Sequence, residues 1–180
     1  MNGFPNNPRI INVIQGEFEI CHSKDVVLST ILGSCVAVCM YDPIQNVGGL
    51  NHYLLPHDGT SGPQERKYGA MAMELLINGL LRRGAERANL KAKVFGGADV
   101  TSKFSGIGAR NVDFAFSFLE REGFEVVTHL TRGTNALRVH FHGFSGTARA
   151  MKIPATQVVE PKVPVTTEKK SAPAGGIELF

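Results

Sequence analysis

Cysteine and histidine are the residues of this chain best suited to act as a nucleophile and its base. Cys35 follows two small residues, Gly33 and Ser34, and His52 lies further along the chain. A thiolate nucleophile needs a base within hydrogen-bond reach, and His52 is the nearest candidate. Backbone amides next to small residues at the start of a strand can stay unpaired, so Gly33 and Ser34 are expected at an oxyanion hole. This pattern predicts a cysteine hydrolase.

Two other interpretations of the same residues remain open at this point. A lone cysteine and histidine are commonly a buried thiol and a satisfied polar residue in a strand. A zinc site would have to combine residues from several segments, and no CxxC pair supports it: Cys21, His22, Cys35, Cys39 and His52. We therefore expect no metal.

The residues around this pair predict a β-hairpin. A strand over 35–41 is followed by turn residues at Asp42-Pro43 and a second strand over 48–55. An even-length turn pairs His52 with Ala37 and makes Cys35 its diagonal neighbour on the same face, roughly 7–8 Å away between backbones. An odd-length turn would place the two side chains on opposite faces.

The rest of the chain predicts an α/β fold of the α+β type. Strand patterns over 9–42 precede a helix whose apolar face runs from Tyr68 to Leu80, and Lys91–Phe95 reads as a strand before a second helix over 109–122. Three strands follow, over 124–130, 137–144 and 147–153, and the alternation in the middle one predicts a solvated face carrying Arg138, His140 and His142. We expect a layered sandwich of mostly antiparallel strands covered by two main helices.

Composition narrows the class of protein. The chain has 180 residues, 43% hydrophobic and 19% charged, with a net charge of +3 and no long basic run. These values predict one globular domain over 1–153 and give no support for nucleic-acid binding. No export signal or membrane-spanning run is present, so we expect a cytoplasmic protein with reduced thiols and no direct membrane insertion. Residues 154–180 are rich in Pro, Thr and Lys, which predicts a disordered tail.

Four ordered blocks within about Asn12 to Ile153 resemble the CheD family of chemoreceptor glutamine deamidases: residues 32–39 (LGSCVAVC), 48–56 (GGLNHYLLP), 93–98 (KVFGGA) and 107–111 (IGARN). The resemblance implies an α/β sandwich similar to deamidating bacterial toxins. It also implies conversion of receptor glutamines to glutamate by a cysteine, a histidine and a hydroxyl residue, without a cofactor.

The resemblance assigns roles to particular residues. Cys35 and His52 match the cysteine and histidine of the family. The family hydroxyl lies six residues before the cysteine, which is Ser29 here, and Thr30 stands beside it, so either hydroxyl is a candidate to orient the imidazole. Residues 131–134 (TRGT) depart from the paired glycine common in the family.

Asn51, Arg110 and Asn111 are predicted to contact the substrate or a partner. For Asn111, capping of the second helix is the simpler alternative. The implied partners are the cytoplasmic domains of chemoreceptors and a CheC-type phosphatase. Two alternative functions stay open: a non-catalytic partner and regulator of CheC, and a methylesterase acting on receptor glutamyl methyl esters.

Overall fold

The computed structural model describes residues 4–56, 63–99 and 106–153. Within these ranges the chain forms nine strands, two α-helices and a short 3-10 helix at Arg87–Asn89. The α-helices are α1 (Pro63–Arg82) and α2 (Ile107–Arg121), and the strands are β1 (Arg9–Asn12), β2 (Phe18–Cys21), β3 (Val26–Leu32), β4 (Val36–Asp42), β5 (Val47–Tyr53), β6 (Lys91–Gly96), β7 (Glu125–Thr131), β8 (Ala136–His142) and β9 (Thr147–Ile153).

The strands form two sheets that pack face to face. One sheet has the order β1-β3-β8-β9 and the other the order β2-β5-β4-β6-β7. Only the pairs β1/β3 and β6/β7 are parallel in these sheets. Helices α1 and α2 cover the second sheet on the face away from the first. The predicted α+β sandwich of mostly antiparallel strands under two helices is confirmed.

The second sheet, β2-β5-β4-β6-β7, lies between the first sheet and the helices, and we call it the central sheet. Strand β4 shows how this sheet is buried on both faces. Val36, Val38 and Met40 pack in the apolar cluster under the helices, whereas Ala37 and Cys39 pack in the cluster between the two sheets. Successive side chains of a strand point to opposite faces, so a strand covered on both sides must be apolar throughout. The β4–β5 hairpin therefore lies in the middle layer, with one face turned to the other sheet.

The predicted solvated face of β8 is wrong for one of its three residues. Arg138 is exposed and His140 is half-buried, but His142 is only 4% exposed. Its Nδ1 lies 2.8 Å from Ser145 Oγ and its Nε2 lies 3.0 Å from the Lys24 carbonyl oxygen. His142 begins the tight turn into β9, so its ring is enclosed by that turn and by the chain before β3.

No helix in the ranges 4–56, 63–99 and 106–153 is long and apolar enough to cross a membrane. The predicted disordered tail over 154–180 lies outside the described residues. The single domain over 1–153 stays a prediction.

Candidate functional site

The hairpin register brings Cys35 and His52 to the same side of the central sheet. In the β4–β5 ladder Ala37 pairs with His52 and Val36 with Tyr53, which confirms the register obtained by counting. Cys35 immediately precedes β4, is half-buried, and packs against the apolar cluster between the sheets. The thiol is thus the diagonal neighbour of the imidazole on the face turned toward the other sheet.

Thr30 reaches His52 from that other sheet. Its Oγ1 donates a hydrogen bond to the Val13 carbonyl oxygen at 2.7 Å and lies 2.8 Å from His52 Nδ1. The Val13 carbonyl oxygen can only accept, and it lies 2.7 Å from Thr30 Oγ1 and 3.4 Å from His52 Nδ1. We therefore assign the single hydroxyl proton to Val13 and the Thr30 oxygen as the acceptor from Nδ1–H. The proton of the neutral ring is thereby placed on Nδ1, which leaves the lone pair on Nε2.

Nε2 of His52 is buried and has no hydrogen-bond partner among the residues that the structure describes. Burial lowers the pKa of His52, and the Val13 carbonyl and the Glu17 carboxylate offset part of this effect. The imidazole is therefore neutral at neutral pH, with an unused acceptor on the nitrogen that Thr30 does not contact. This is the protonation state that a general base requires.

The alternation of β3 separates the two candidate hydroxyls. Thr30 pairs with Val139, whose side chain lies in the cluster between the sheets, whereas Ser29 pairs with His140 on the opposite face. Ser29 meets the site only through its carbonyl oxygen, which accepts from the Val13 amide at 2.8 Å. The structure thus brings Thr30, and not Ser29, to the imidazole.

Three carbonyl groups pin the loop that carries Cys35. The carbonyl oxygens of Gly33 and Cys35 accept from the amides of Ala98 and Gly97 at 2.9 and 2.7 Å. The carbonyl oxygen of Ser34 accepts from the Asn111 side chain at 2.8 Å. In a trans peptide the following N–H points away from the carbonyl, so the Ser34 and Cys35 amides point away from this support.

The glycines after β6 let this support come close. Gly96 has φ +103°, and a Cβ there would collide with the Cys35 carbonyl oxygen. Gly97 has φ +69°, and a Cβ there would meet the Val112 side chain and the backbone of Gly108. Only glycine tolerates both the left-handed backbone and the contact, so these two glycines allow the backbone segments to approach closely.

Asn111 has a structural role that neither of its predicted roles describes. It is fully buried; its Oδ1 accepts from the Leu55 amide at 2.9 Å, its Nδ2 donates to Ser34, and its carbonyl oxygen accepts from the Tyr53 hydroxyl at 2.8 Å. The N-cap of α2 is Gly106, without a side-chain hydrogen bond, so the capping prediction is wrong. With no exposed surface, Asn111 braces the loop that carries Cys35, and its predicted contact with a substrate or partner is not supported.

Asn51 and Arg110 differ in their accessibility. Asn51 is 1% exposed; its Oδ1 accepts from the Val38 amide at 2.9 Å and its Nδ2 donates to the Ala72 carbonyl oxygen at 3.2 Å. Its side chain ties β5 to β4 and α1, so the predicted contact with a substrate or partner is not supported. Arg110 forms an ion pair with Glu65 of α1 and stays 35% exposed, so it keeps an accessible surface.

The loop between β1 and β2 contributes to the site and was missed by the sequence interpretation. The Gly16 amide donates to the His52 carbonyl oxygen at 2.8 Å, and the His52 amide donates to the Glu17 carbonyl oxygen at 2.9 Å. Gln15 Oε1 accepts a hydrogen bond from Cys35 Sγ at 3.4 Å. We call residues 13–17 the strap. No spacing or motif links the strap to Cys35, so only the folded chain shows the contact.

The other two thiols lie in different surroundings. Cys39 is fully buried, and burial raises the pKa of its thiol. Burial also raises the pKa of Cys21, whose Sγ accepts from the Ser23 amide at 3.2 Å. Within the described ranges, no group of three or more His, Cys, Asp or Glu side chains is arranged to hold a metal ion.

Comparison with known proteins identifies the family. The family model described as CheD chemotactic sensory transduction matches residues 54–152, more than half of the chain. The chain belongs to the CheD family. Two curated relatives named "Probable chemoreceptor glutamine deamidase CheD" come from Acidiphilium cryptum (strain JF-5) and Rhizobium meliloti (strain 1021). The first is 46% identical over 98% of this chain and 96% of its own length. The second is 50% identical over 78% of this chain and 79% of its own length.

Two solved structures are more distantly similar to this chain. Bacillus licheniformis YfiH has 13% identity and a TM-score of 0.41, covering 72% of this chain and 60% of its own. A DUF152 protein of Neisseria meningitidis has 10% identity and a TM-score of 0.42, covering 70% and 63%. The family membership predicted from the four sequence blocks is confirmed by the curated relatives.

Proposed function

We propose that this chain is a cysteine-dependent deamidase that converts glutamine side chains in the cytoplasmic domains of chemoreceptors to glutamate, with release of ammonia, in chemotaxis adaptation. The observation that carries the proposal is the orientation of His52. Thr30 fixes the proton on Nδ1, and Nε2 keeps a buried lone pair on the sheet face shared with Cys35. The names of the curated relatives agree with this activity.

In the proposed first half-reaction, His52 Nε2 removes the proton from Cys35 Sγ, and the thiolate attacks the carbon of the glutamine carboxamide. The negative charge that develops on the amide oxygen is stabilised by the Ser34 and Cys35 amides, which point away from the pinned carbonyls. His52 then gives its proton to the leaving nitrogen, and ammonia departs to leave a thioester on Cys35.

In the second half-reaction the same imidazole removes a proton from water, which attacks the thioester carbon. The thiolate leaves, takes back the proton, and the product is a glutamate side chain. Thr30 holds the ring throughout, because the hydrogen bond from Nδ1–H to the Thr30 oxygen is kept whether or not Nε2 is protonated. The receptor helix gains a negative charge at a previously neutral position, which changes its packing and its signalling state.

The leaving group distinguishes deamidation from hydrolysis of receptor methyl esters by the same thiolate. Receptor fragments with genetically fixed glutamines should release ammonia in the presence of wild-type protein and not with Cys35→Ala. Release of methanol from methylated fragments, without ammonia from the glutamine forms, would overturn the deamidase proposal in favour of the esterase.

A CheC-type phosphatase is the second partner that we propose, on the basis of family membership. Arg110 is the predicted contact residue that keeps accessible surface, next to Glu65 on α1. Cys35→Ala should bind CheC as tightly as the wild type, and Arg110→Ala should bind it more weakly. Equal binding by wild type and Arg110→Ala would remove Arg110 from the interface.

A further inference from the structure

The thiol of Cys35 is in contact with a carboxamide that belongs to its own chain. Cys35 Sγ donates to Gln15 Oε1 at 3.4 Å, and a glutamine carboxamide is the group on which the proposed reaction acts. We propose that Gln15 is an internal competitor, which holds the resting thiol and must be displaced by the glutamine of a substrate. This inference rests on the proposed function, because it concerns the same carboxamide site.

The backbone of the strap is held by hydrogen bonds, whereas the side chain of Gln15 can change rotamer. Hydrogen bonds on both sides of Gln15 hold the strap to β3 and β5: Val13 N to the Ser29 carbonyl oxygen and Gly16 N to the His52 carbonyl oxygen, both at 2.8 Å. The Gln15 side chain itself is exposed. An exposed glutamine changes rotamer on the picosecond to nanosecond timescale, so a substrate can replace its amide without moving the strap.

The contact stabilises the resting form of the nucleophile. An amide oxygen that accepts from S–H favours the neutral thiol over the thiolate, because a hydrogen bond to the neutral form of an acid opposes ionisation. The contact is a hydrogen bond from the sulfur of Cys35 to the amide oxygen of Gln15. In this proposal Gln15 acts as an acceptor and is not itself hydrolysed.

Because the substrate must displace Gln15, the site favours substrates that also bind the protein outside the carboxamide site. A free carboxamide gains little when it replaces Gln15, because one amide contact is exchanged for another. A receptor segment brings additional binding energy, which can be used to displace the side chain. A cavity of about 350 Å³ lies beside the strap and offers such a segment both apolar contacts, at Val13, Phe18 and Leu75, and polar contacts, at Asn12, Glu17 and Glu19.

The test measures alkylation of Cys35 by iodoacetamide, located by peptide mass spectrometry, across three substitutions of one exposed residue. Gln15→Ala should react about two- to fivefold faster than wild type, which is the range expected for one weak hydrogen bond. Gln15→Asn should match the alanine variant, because the shorter side chain does not reach the sulfur. Gln15→Glu should react more slowly than wild type, because a carboxylate beside the thiol disfavours the thiolate.

Gln45→Ala is the matched control, since Gln45 is an exposed glutamine whose amide contacts Glu86 and not the site.

In receptor deamidation Gln15→Ala should lower KM about two- to fivefold and leave kcat unchanged. Alkylation of Gln15→Ala at or below the wild-type rate overturns the inference, as does glutamate found at position 15 of the wild type but not of Cys35→Ala.

The two proposals fail in different ways. Normal receptor conversion with unchanged alkylation of Gln15→Ala refutes only the role of Gln15. If neither the wild type nor any variant converts receptor glutamines, the proposed function is refuted, even where Gln15→Ala is alkylated faster. In that case the proposed competition between Gln15 and a substrate glutamine is refuted as well.

Discussion

The hydroxyl of Thr30 and Nδ1 of His52 lie 2.8 Å apart across the interface between the two sheets. Both residues are buried, Thr30 at 4% and His52 at 6% exposure, so water does not replace either partner. Because Thr30 gives its only proton to the Val13 carbonyl oxygen, this contact sets the tautomer of the imidazole. The Thr30 side chain, from the first sheet, thus determines which ring nitrogen of His52, in the second sheet, can act as a base.

Removal of the Thr30 hydroxyl should reduce catalysis far more than removal of the Ser29 hydroxyl. Thr30→Val should lower kcat on the order of 10- to 100-fold, because a hydrogen bond to a group that becomes charged is worth about 1.5–3 kcal/mol. Thr30→Ser should restore most of the activity, and Ser29→Ala should stay close to wild type. Equal losses in Thr30→Val and Ser29→Ala, at equal unfolding free energies, would show that Thr30 does not orient the ring.

The pH dependence of kcat/KM should reflect the lowered pKa of His52. Burial disfavours the imidazolium, so the neutral base persists below the ordinary pKa of 6.5, and the acid limb should have its midpoint below pH 6.5. Glu17→Gln should move the limb to still lower pH, because the Glu17 carboxylate raises the pKa of His52. A limb at or above pH 6.5 in the wild type, or an upward shift in Glu17→Gln, would contradict this electrostatic account.

Counting along one hairpin placed Cys35 and His52 on the same face for a turn of even length, and the observed register has that even length. The same reasoning did not separate Ser29 from Thr30. Residues 26–32 of β3 are apolar on both sides of these hydroxyls, and six of the seven are buried, so no alternation of polarity marks the face that meets the second sheet. The choice depends on how the sheets pack, which a single strand does not encode.

Contacts between distant segments were beyond prediction for the same reason. Asn111 contacts Ser34, and Gln15 contacts Cys35, through side chains from the second helix and from the first loop. Neither pair has a spacing that a helix, strand or turn would impose. Each depends on the layering of the whole domain, and the sequence interpretation assigned Asn111 to capping or substrate contact and gave Gln15 no role.

Gly96 should be the glycine whose replacement most directly damages the loop that carries Cys35. Gly96→Ala adds a Cβ that collides with the Cys35 carbonyl oxygen, at a backbone φ of +103°. Gly84→Ala is the control, because Gly84 has a similar φ of +94° but no atom within 4 Å of the added Cβ. Gly84→Ala should lower the unfolding free energy by about 1–2 kcal/mol from backbone strain alone. Gly96→Ala should lose clearly more, together with activity; equal losses in urea denaturation would exclude the collision.

Asn111 should contribute to both stability and catalysis. Asn111→Ala leaves the Leu55 amide and the Ser34 carbonyl without their side-chain partner in a fully buried position. We expect the unfolding free energy to fall by about 2–4 kcal/mol, from two buried groups left unsatisfied, and kcat to fall as Ser34 loses its brace. Asn78→Ala, at an exposed position of α1, should be within about 0.5 kcal/mol of wild type. A stable, fully active Asn111→Ala would contradict the bracing role.

The central claim, that Cys35 deamidates receptor glutamines, is tested most directly by site-resolved mass spectrometry of receptor cytoplasmic fragments. The fragments are incubated with wild type, Cys35→Ser and Cys21→Ser, the last being a conservative control at a thiol that contacts Ser23. We predict conversion of specific glutamines to glutamate by wild type and Cys21→Ser, and none by a folded Cys35→Ser. Conversion by Cys35→Ser at the wild-type rate would contradict the account.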